Sequence, residues 1–197
     1  MAKLYFKYGA MGSSKTAQAL ITKFNYEERG LKVWLIKPAI DTREGRAVCR
    51  SRIGLEEEVY LIQPEQDIYK EFCDHEKSVV DVIIVDECQF FSEEQIDQLQ
   101  DIVYDFSIPV LCFGLKTDFQ TKLFPGSKRL FEIAESIQEI KTICSCGKKA
   151  TVNARIDKEG HLVTEGEQIE IGGNDKYVAM CYKCYKEMKK QQSMEAL

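Results

Sequence analysis

The sequence predicts an α/β fold in which helices cover both faces of a parallel sheet, followed by a small zinc-binding unit. Three observations lead to this prediction. A phosphate-binding loop near the N-terminus lies between an apolar run and a helical pattern. Further apolar runs alternate with helical segments, which is typical of parallel strands joined by helices. Four cysteines form two close pairs near the C-terminus.

The phosphate-binding loop reads Gly-Ala-Met-Gly-Ser-Ser-Lys-Thr. Small residues let backbone N–H groups close around phosphate oxygens, while Lys15 adds a charge and Thr16 a hydroxyl for Mg²⁺. Ser14 replaces the glycine that usually precedes the lysine, so we expect backbone strain if this position needs a positive φ. The alternative is an ordinary turn before a helix with a surface lysine. The predicted nucleoside-triphosphate site comprises Gly9, Ala10, Met11, Gly12, Ser13, Ser14, Lys15 and Thr16.

The length and charge of the chain limit the class of protein. It has 197 residues, 44% of them hydrophobic, and a net charge of −5. A protein that mainly binds nucleic acid or an anionic membrane needs a basic face, so the acidic balance favours a small-molecule partner. No apolar run approaches the roughly 20 residues of a membrane span, and the N-terminus lacks a signal-peptide pattern. We therefore predict a cytoplasmic protein that binds neither nucleic acid nor membrane.

The elements of the first domain follow from hydrophobic periodicity and from residues that end helices and strands. Apolar runs predict strands over residues 4–8, 32–37, 59–62, 79–85, 109–114 and 137–142. Helices are predicted over residues 16–28, 64–75 and 128–134, with another starting at the capping box 92–95. Gly30 is expected to end the first helix, and Pro38 to end the second strand. The arginine-rich stretch 41–54 is predicted as a mainly solvated loop. Together these elements predict a domain over residues 1–142, followed by a zinc-binding domain over 143–185 and a tail over 186–197.

An acidic pair follows the most apolar of these runs. Residues 79–85 are almost continuously apolar, which is typical of a central strand buried on both faces. Asp86 and Glu87 come directly after it. Ligands bind at the carboxyl ends of strands in open α/β sheets, so Asp86 could hold Mg²⁺ there while Glu87 acts as a base. The alternative is a strand end that simply carries charged residues.

The eight cysteines divide into a cluster and four isolated residues. Cys144, Cys146, Cys181 and Cys184 enclose a segment with little apolar sequence of its own, so four thiolates around Zn²⁺ would replace a missing core. The Cys-x-Cys spacing of the first pair makes joint ligation tight. An unbound thiol cluster, or a site with one ligand from elsewhere, remains an alternative. The isolated residues Cys49, Cys73, Cys88 and Cys112 are predicted to be small buried hydrophobes.

Four motifs in order resemble the small cytosolic (type II) thymidine kinases. They are the phosphate-binding loop, Asp-Glu-x-Gln-Phe at 86–90, Thr-Asp-Phe-Gln at 117–120 and Gly-Gly-x-Asp-Lys-Tyr at 172–177, and the resemblance spans Lys3 to Cys184. It implies a RecA-like sheet with a zinc-held lasso loop. It also implies a homotetramer that dTTP inhibits, and phosphate transfer from ATP to the 5′-hydroxyl of thymidine, with deoxyuridine accepted as well.

The resemblance also assigns roles to individual residues. It makes Glu87 the proton acceptor and places Arg43 near the transferred phosphate. ATP is assigned to the phosphate-binding loop together with Asp86, Glu87 and Gln89, with Mg²⁺ on Thr16 and Asp86. Substrate binding is assigned to Met11, Phe90, Leu115, Phe119, Phe124, Asn153, Ile171 and Tyr177. The backbone of Asn153 and nearby residues would read the base edge, and the four clustered cysteines would be the zinc ligands.

A second function class also fits the first two motifs. In a nucleic-acid-stimulated ATPase of the RecA or helicase type, Glu87 would activate water and a zinc ribbon would contact the nucleic acid. The acidic balance and the lack of room for a second motor domain count against this alternative. A non-enzymatic nucleotide-binding scaffold is a third class, but it would leave Glu87 without a role.

Overall fold

The computed structural model describes residues 2–39, 47–76, 80–168 and 176–195. The larger of its sheets is built on six parallel strands. In chain order these are β1 (Leu4–Tyr8), β2 (Val33–Pro38), β5 (Tyr60–Ile62), β6 (Val82–Val85), β7 (Val110–Gly114) and β8 (Ser136–Glu139). Across the sheet the order is β5-β2-β6-β7-β1-β8. The predicted parallel sheet is therefore confirmed.

The helices lie on both faces of this sheet, as predicted. They are α1 (Lys15–Glu27), α2 (Ile68–Glu71), α3 (Glu93–Phe106) and α4 (Pro125–Ile133), with a π-helical turn Phe72–Glu76 and a 3₁₀ turn Cys88–Phe90. On one face Ala19 and Leu20 of α1 pack over Leu35, Ile84 and Phe113. On the other, α2, α3 and α4 bury the opposite side chains of the same strands. Alternate residues of each central strand thus enter two separate cores.

The core under α2 and α3 contains the single tryptophan of the chain, Trp34. Its ring lies between the rings of Tyr60 and Phe72, at centroid distances of 5.7 and 5.9 Å. Trp34 is 5% exposed, and its indole N–H is buried without a hydrogen-bond partner within the described residues. It contributes buried apolar area to this domain without a compensating hydrogen bond.

Several predicted boundaries differ from the structure; helix α4, for example, begins at Pro125 rather than at residue 128. Residues 48–50 are not irregular: β3 (Val48–Arg50) pairs with β4 (Glu56–Glu58) in an antiparallel hairpin, where Arg50 bonds Glu56. Helix α2 begins at Ile68 rather than near Pro64, because the Asp67 side chain accepts from Lys70 N and caps the helix there. Strand β8 ends at Glu139, three residues before the predicted limit. The capping box of α3 at Ser92 is confirmed.

The C-terminal part of the chain forms a second, smaller sheet. Strand β9 (Val152–Ile156) lies between β10 (Leu162–Val163) and β11 (Lys176–Met180), and α5 (Tyr182–Glu195) packs against it. Ala150, Val152, Ala154 and Leu162 form a small core with Cys144 and Cys181. The expectation that this segment lacks a core is therefore wrong, although the core is small. Tyr177 lies within β11, while the residues before it, 169–175, lie outside the described part.

Candidate active site

A cavity of about 370 Å³ opens at the carboxyl ends of β1, β6 and β7 and extends to β9 and β11. It collects most of the residues assigned from the sequence: Met11, Gly12, Ser14, Lys15, Thr16, Asp86, Glu87, Gln89, Phe90, Leu115, Phe119, Phe124, Asn153 and Tyr177. Gly9, Ala10 and Ser13 complete the loop at its base. Arg43 and Ile171 lie outside the described residues. A volume of this size is typical of small-molecule sites.

The phosphate-binding loop is held in a conformation that only some residues tolerate. Ser14 has a φ of 59°, so the predicted strain at this position is present. Gly9 has no room for a side chain, since a Cβ there would lie 2.4 Å from the carbonyl oxygen of Ile140. Lys15 folds back over the loop, and its ammonium donates to the carbonyl of Ala10 at 3.0 Å. The loop thus curls around the N-terminal end of α1, and helix N-termini in general favour anions.

Lys15 and Asp86 are both nearly buried, at 8% and 4% exposure. Burial lowers the pKa of Lys15, although the carboxylates of Glu87 and Asp86 oppose that shift. Burial and the neighbouring charge of Glu87 raise the pKa of Asp86 to about 7. The site therefore holds opposite charges in a poorly solvated space, where their interactions with a ligand are strengthened.

The side chains of Thr16 and Asp86 lie in contact with each other, as is required of two groups that would hold one Mg²⁺ ion. The hydroxyl of Thr16 donates to Oδ2 of Asp86 at 3.0 Å, and the thiol of Cys49 donates to the same oxygen at 3.2 Å. Burial raises the pKa of Cys49, which keeps this thiol protonated. A hydroxyl and a carboxylate are oxygen ligands of the kind that Mg²⁺ prefers, so the pair fits this ion.

The backbone changes direction at Glu87, two residues after the end of strand β6. Its φ of 53° and ψ of 35° are left-handed, which turns the chain into the 3₁₀ turn after the strand. The amide of Gln89 donates to Oε2 of Glu87 at 2.6 Å and accepts from the backbone N–H of Leu115 at 2.9 Å. Gln89 is fully buried. This side chain thus ties the Glu87 carboxylate to the loop that follows β7.

Aromatic rings form the apolar wall of the cavity. Phe90 and Phe124 pack edge to face at 5.6 Å between centroids. Phe119 is 1% exposed, and the guanidinium of Arg155 stacks on its ring at 5.2 Å. Each of these rings therefore packs against a neighbouring side chain. A flat heteroaromatic group is a suitable occupant of such a slot.

The hairpin β3–β4 brings basic residues that the sequence analysis did not single out. Arg52 lies over the phosphate-binding loop, since a Cβ placed on Gly12 would be 3.7 Å from its Nη1. Arg52 is exposed and makes no ion pair within the described residues. Lys37 lines the same cavity and donates to the carbonyl of Val48 at 2.8 Å. A Gly-containing turn between Val48-Cys49 and three glutamates was the available sequence signal for this hairpin.

The four clustered cysteines come together at one point. Their Sγ atoms all lie within 4.8 Å of one another, and those of Cys146 and Cys181 are 3.6 Å apart. A tetrahedral zinc site with Zn–S bonds of about 2.3 Å needs S–S separations of about 3.8 Å. Backbone N–H groups lower the pKa of Cys144 to about 6, which favours the thiolate that a metal binds. The cluster could therefore hold a metal such as zinc despite its Cys-x-Cys spacing.

A family model described as thymidine kinase matches residues 2–185 of the chain. The chain belongs to the thymidine kinase family. The thymidine kinase of Photobacterium profundum is 45% identical over 188 residues, which cover 95% of this chain and 98% of the relative. The thymidine kinase of Agrobacterium fabrum is 47% identical over 182 residues, covering 92% and 94%.

Membership of the thymidine kinase family decides against the helicase-type ATPase and the scaffold considered above. The enzymes of this family are ATP-dependent nucleoside kinases, and the cavity is lined both by Gly12, Lys15 and Thr16 of the phosphate-binding loop and by aromatic rings. Among the described helices, none has the length and apolar character needed to cross a membrane.

The cysteine cluster predicts a tightly bound metal ion. Protein purified without chelators should carry about one ion such as zinc per chain, because four thiolates converge there. Cys181→Ser should lose most of it by mass spectrometry of the metal content, whereas Cys73→Ser, outside the cluster, should keep it. Wild-type protein that binds no metal even after incubation with zinc would contradict the expectation.

Proposed function

We propose that this thymidine kinase transfers the γ-phosphate of ATP to the 5′-hydroxyl of thymidine within the cavity described above, giving dTMP and ADP. One observation supports this most strongly: a single cavity is lined by the phosphate-binding loop, by Asp86-Glu87 and by the rings of Phe90, Phe119 and Phe124. Donor and acceptor sites that share one cavity are what direct phosphoryl transfer requires. Deoxyuridine, which lacks only the thymine methyl, would be accepted as well.

We propose Glu87 as the base that takes the proton of the 5′-hydroxyl. Its carboxylate lines the cavity between the phosphate-binding loop and the aromatic wall, and Gln89 fixes one of its oxygens. Backbone N–H groups of the loop, Lys15 and Arg52 would bind the phosphates. Mg²⁺ held by Thr16 and Asp86 would neutralise charge on the phosphate oxygens. A role for Arg43 beside the transferred phosphate rests on the family resemblance.

The base would lie in the aromatic slot. Phe90, Phe119, Phe124, Leu115 and Met11 would enclose the thymine, and Tyr177 would contact the nucleoside from β11. Backbone groups near Asn153 and Ile171 would then read the base edge. Such reading gives selectivity, because a base with the wrong edge leaves buried hydrogen-bonding groups unpaired.

The remaining proposals concern assembly and regulation. We propose zinc as the ion held by the four cysteines, since an all-thiolate tetrahedral set suits it. We further propose, from the family resemblance, a cytoplasmic homotetramer that dTTP inhibits. The domain division at residues 142 and 185 is likewise proposed. The two separate sheets support the first boundary, whereas helix α5 (Tyr182–Glu195) runs across the second.

Phosphate transfer to a panel of four deoxynucleosides tests the function. With ATP and Mg²⁺, dTMP should form with little hydrolysis in a control without acceptor, and deoxyuridine should be the next best acceptor. Glu87→Gln should lower turnover about 10²–10⁴-fold, because this is the usual rate enhancement from a positioned base. Its thermal midpoint should stay near the wild-type value. Hydrolysis that single-stranded DNA stimulates and nucleosides do not would instead support the ATPase alternative.

A second prediction concerns the residue that holds Glu87. Gln89→Leu should lower kcat about 10-fold or more, because it keeps the side-chain volume and removes the bond to the carboxylate. Gln95→Leu is the matched control: this glutamine is 4% exposed and bonds backbone carbonyls at 63 and 66, away from the cavity. It should lose stability and keep its kcat. If Gln89→Leu and Gln95→Leu have the same kcat, Gln89 does not orient the Glu87 carboxylate.

A third prediction concerns Arg52. Arg52→Gln should raise the KM for ATP or lower kcat by about 10-fold, because it removes a cation next to the phosphate-binding loop. Arg29→Gln makes the same change of charge at an exposed position beyond α1 and should leave both constants unchanged. If both variants behave like the wild type, Arg52 does not contact the phosphates.

A further inference from the structure

The amide of Asn153 joins the two halves of the cavity. Its Oδ1 accepts from the backbone N–H of Met11 at 2.8 Å, and its Nδ2 donates to the backbone carbonyl of Thr117 at 2.7 Å. Met11 belongs to the phosphate-binding loop, and Thr117 lies in the loop after β7. Asn153 itself lies in β9 and is 3% exposed. One side chain of the second domain thus bridges two loops of the first.

Other side chains of the second domain hold the same loop after β7. Gln168 donates to Oδ2 of Asp118 at 2.8 Å, and the hydroxyl of Tyr185 donates to the carbonyl of Phe119 at 3.4 Å. Arg155 stacks on the Phe119 ring. These contacts fix the aromatic wall against the second domain, but none of them reaches the phosphate-binding loop. Asn153 contacts both loops through one planar group.

We propose that Asn153 is a positioning residue that sets the distance between the phosphate donor and the nucleoside acceptor. The proposal rests on the reaction proposed above. The amide is planar and short, and both its ends are engaged, so the Met11 N–H and the Thr117 carbonyl are held at one separation. In-line transfer is sensitive to small displacements, and an error of about 1 Å can cost about 10²-fold in rate. The contact therefore matters for alignment as well as for stability.

A merely structural role would have a different consequence. Removing the amide leaves two nearly buried backbone groups without their partner, which lowers stability whatever the site does. Helix α5 offers a matched comparison in Gln192, whose amide accepts from Leu162 N at 2.8 Å and donates to Leu162 O at 3.1 Å. Gln192 has the same chemistry, packs on the same small sheet as Asn153 and does not line the cavity.

The test compares Asn153→Leu with Gln192→Leu in the full-length protein. For each, the thermal midpoint, the metal content, kcat and the ratio of ADP to dTMP formed are measured. Asn153→Leu should lower kcat about 10²-fold and raise the ADP to dTMP ratio, because a misplaced acceptor lets water compete for the phosphate. Gln192→Leu should lower the thermal midpoint and keep the wild-type ratio.

Asn153→Asp serves if the leucine variant does not fold. It keeps an acceptor for Met11 N–H but places an oxygen against the carbonyl of Thr117, so the ADP to dTMP ratio should again rise. A wild-type ratio and kcat in the Asn153 variant that folds would overturn the proposal and leave a structural role. Wild-type protein that forms no dTMP would instead overturn the proposed function, so the two failures are distinguishable.

Discussion

The site depends on the parallel pairing of β1 and β6 with β7 between them. Because all three strands run in the same direction, their carboxyl ends meet at one edge, where the phosphate-binding loop, Asp86 and Leu115 follow them directly. The backbone contact from Gly9 N to the carbonyl of Gly114 joins two of these ends at 3.2 Å. Strands β6 and β7 are buried on both faces, so a shift in their pairing register would expose core side chains. The sheet thus fixes the relative positions of the three strand ends that form one side of the cavity.

Two residues next to these strand ends adopt left-handed backbone conformations although neither is glycine. They are Ser14, which precedes Lys15, and Glu87, which follows Asp86. Each costs of the order of 1–3 kcal/mol and persists only where surrounding contacts hold it. For Glu87 those contacts are identifiable: Gln89 bonds its carboxylate, and the 3₁₀ turn packs closely on Gly114, where a Cβ would lie 2.5 Å from Cys88 Sγ. The backbone strain thus lies at two residues that line the cavity.

The sequence was informative wherever a local pattern carries the chemistry. The strand-loop-helix context of Lys15, the carboxylates after a buried strand and the paired cysteines all follow from short segments, and the structure brings each group together. The helix boundary near Pro64 was wrong because Asp67 competes as a cap. The β3–β4 hairpin, and with it Arg52, was hidden in a charged stretch whose strands are only three residues long. The role of the Asn153 side chain could not be predicted, since its bond to Met11 joins residues 142 positions apart in the chain.

The position of the single tryptophan makes the two main sheets spectroscopically separable. Trp34 lies in the core against the six-stranded sheet beside Phe72, and residues 143–197 contain tyrosines but no tryptophan. Its emission therefore reports the solvation of the larger sheet alone, while metal content and thiol accessibility report the smaller one. Followed together along a denaturant titration, these signals reveal whether the two units melt in one cooperative step or in sequence.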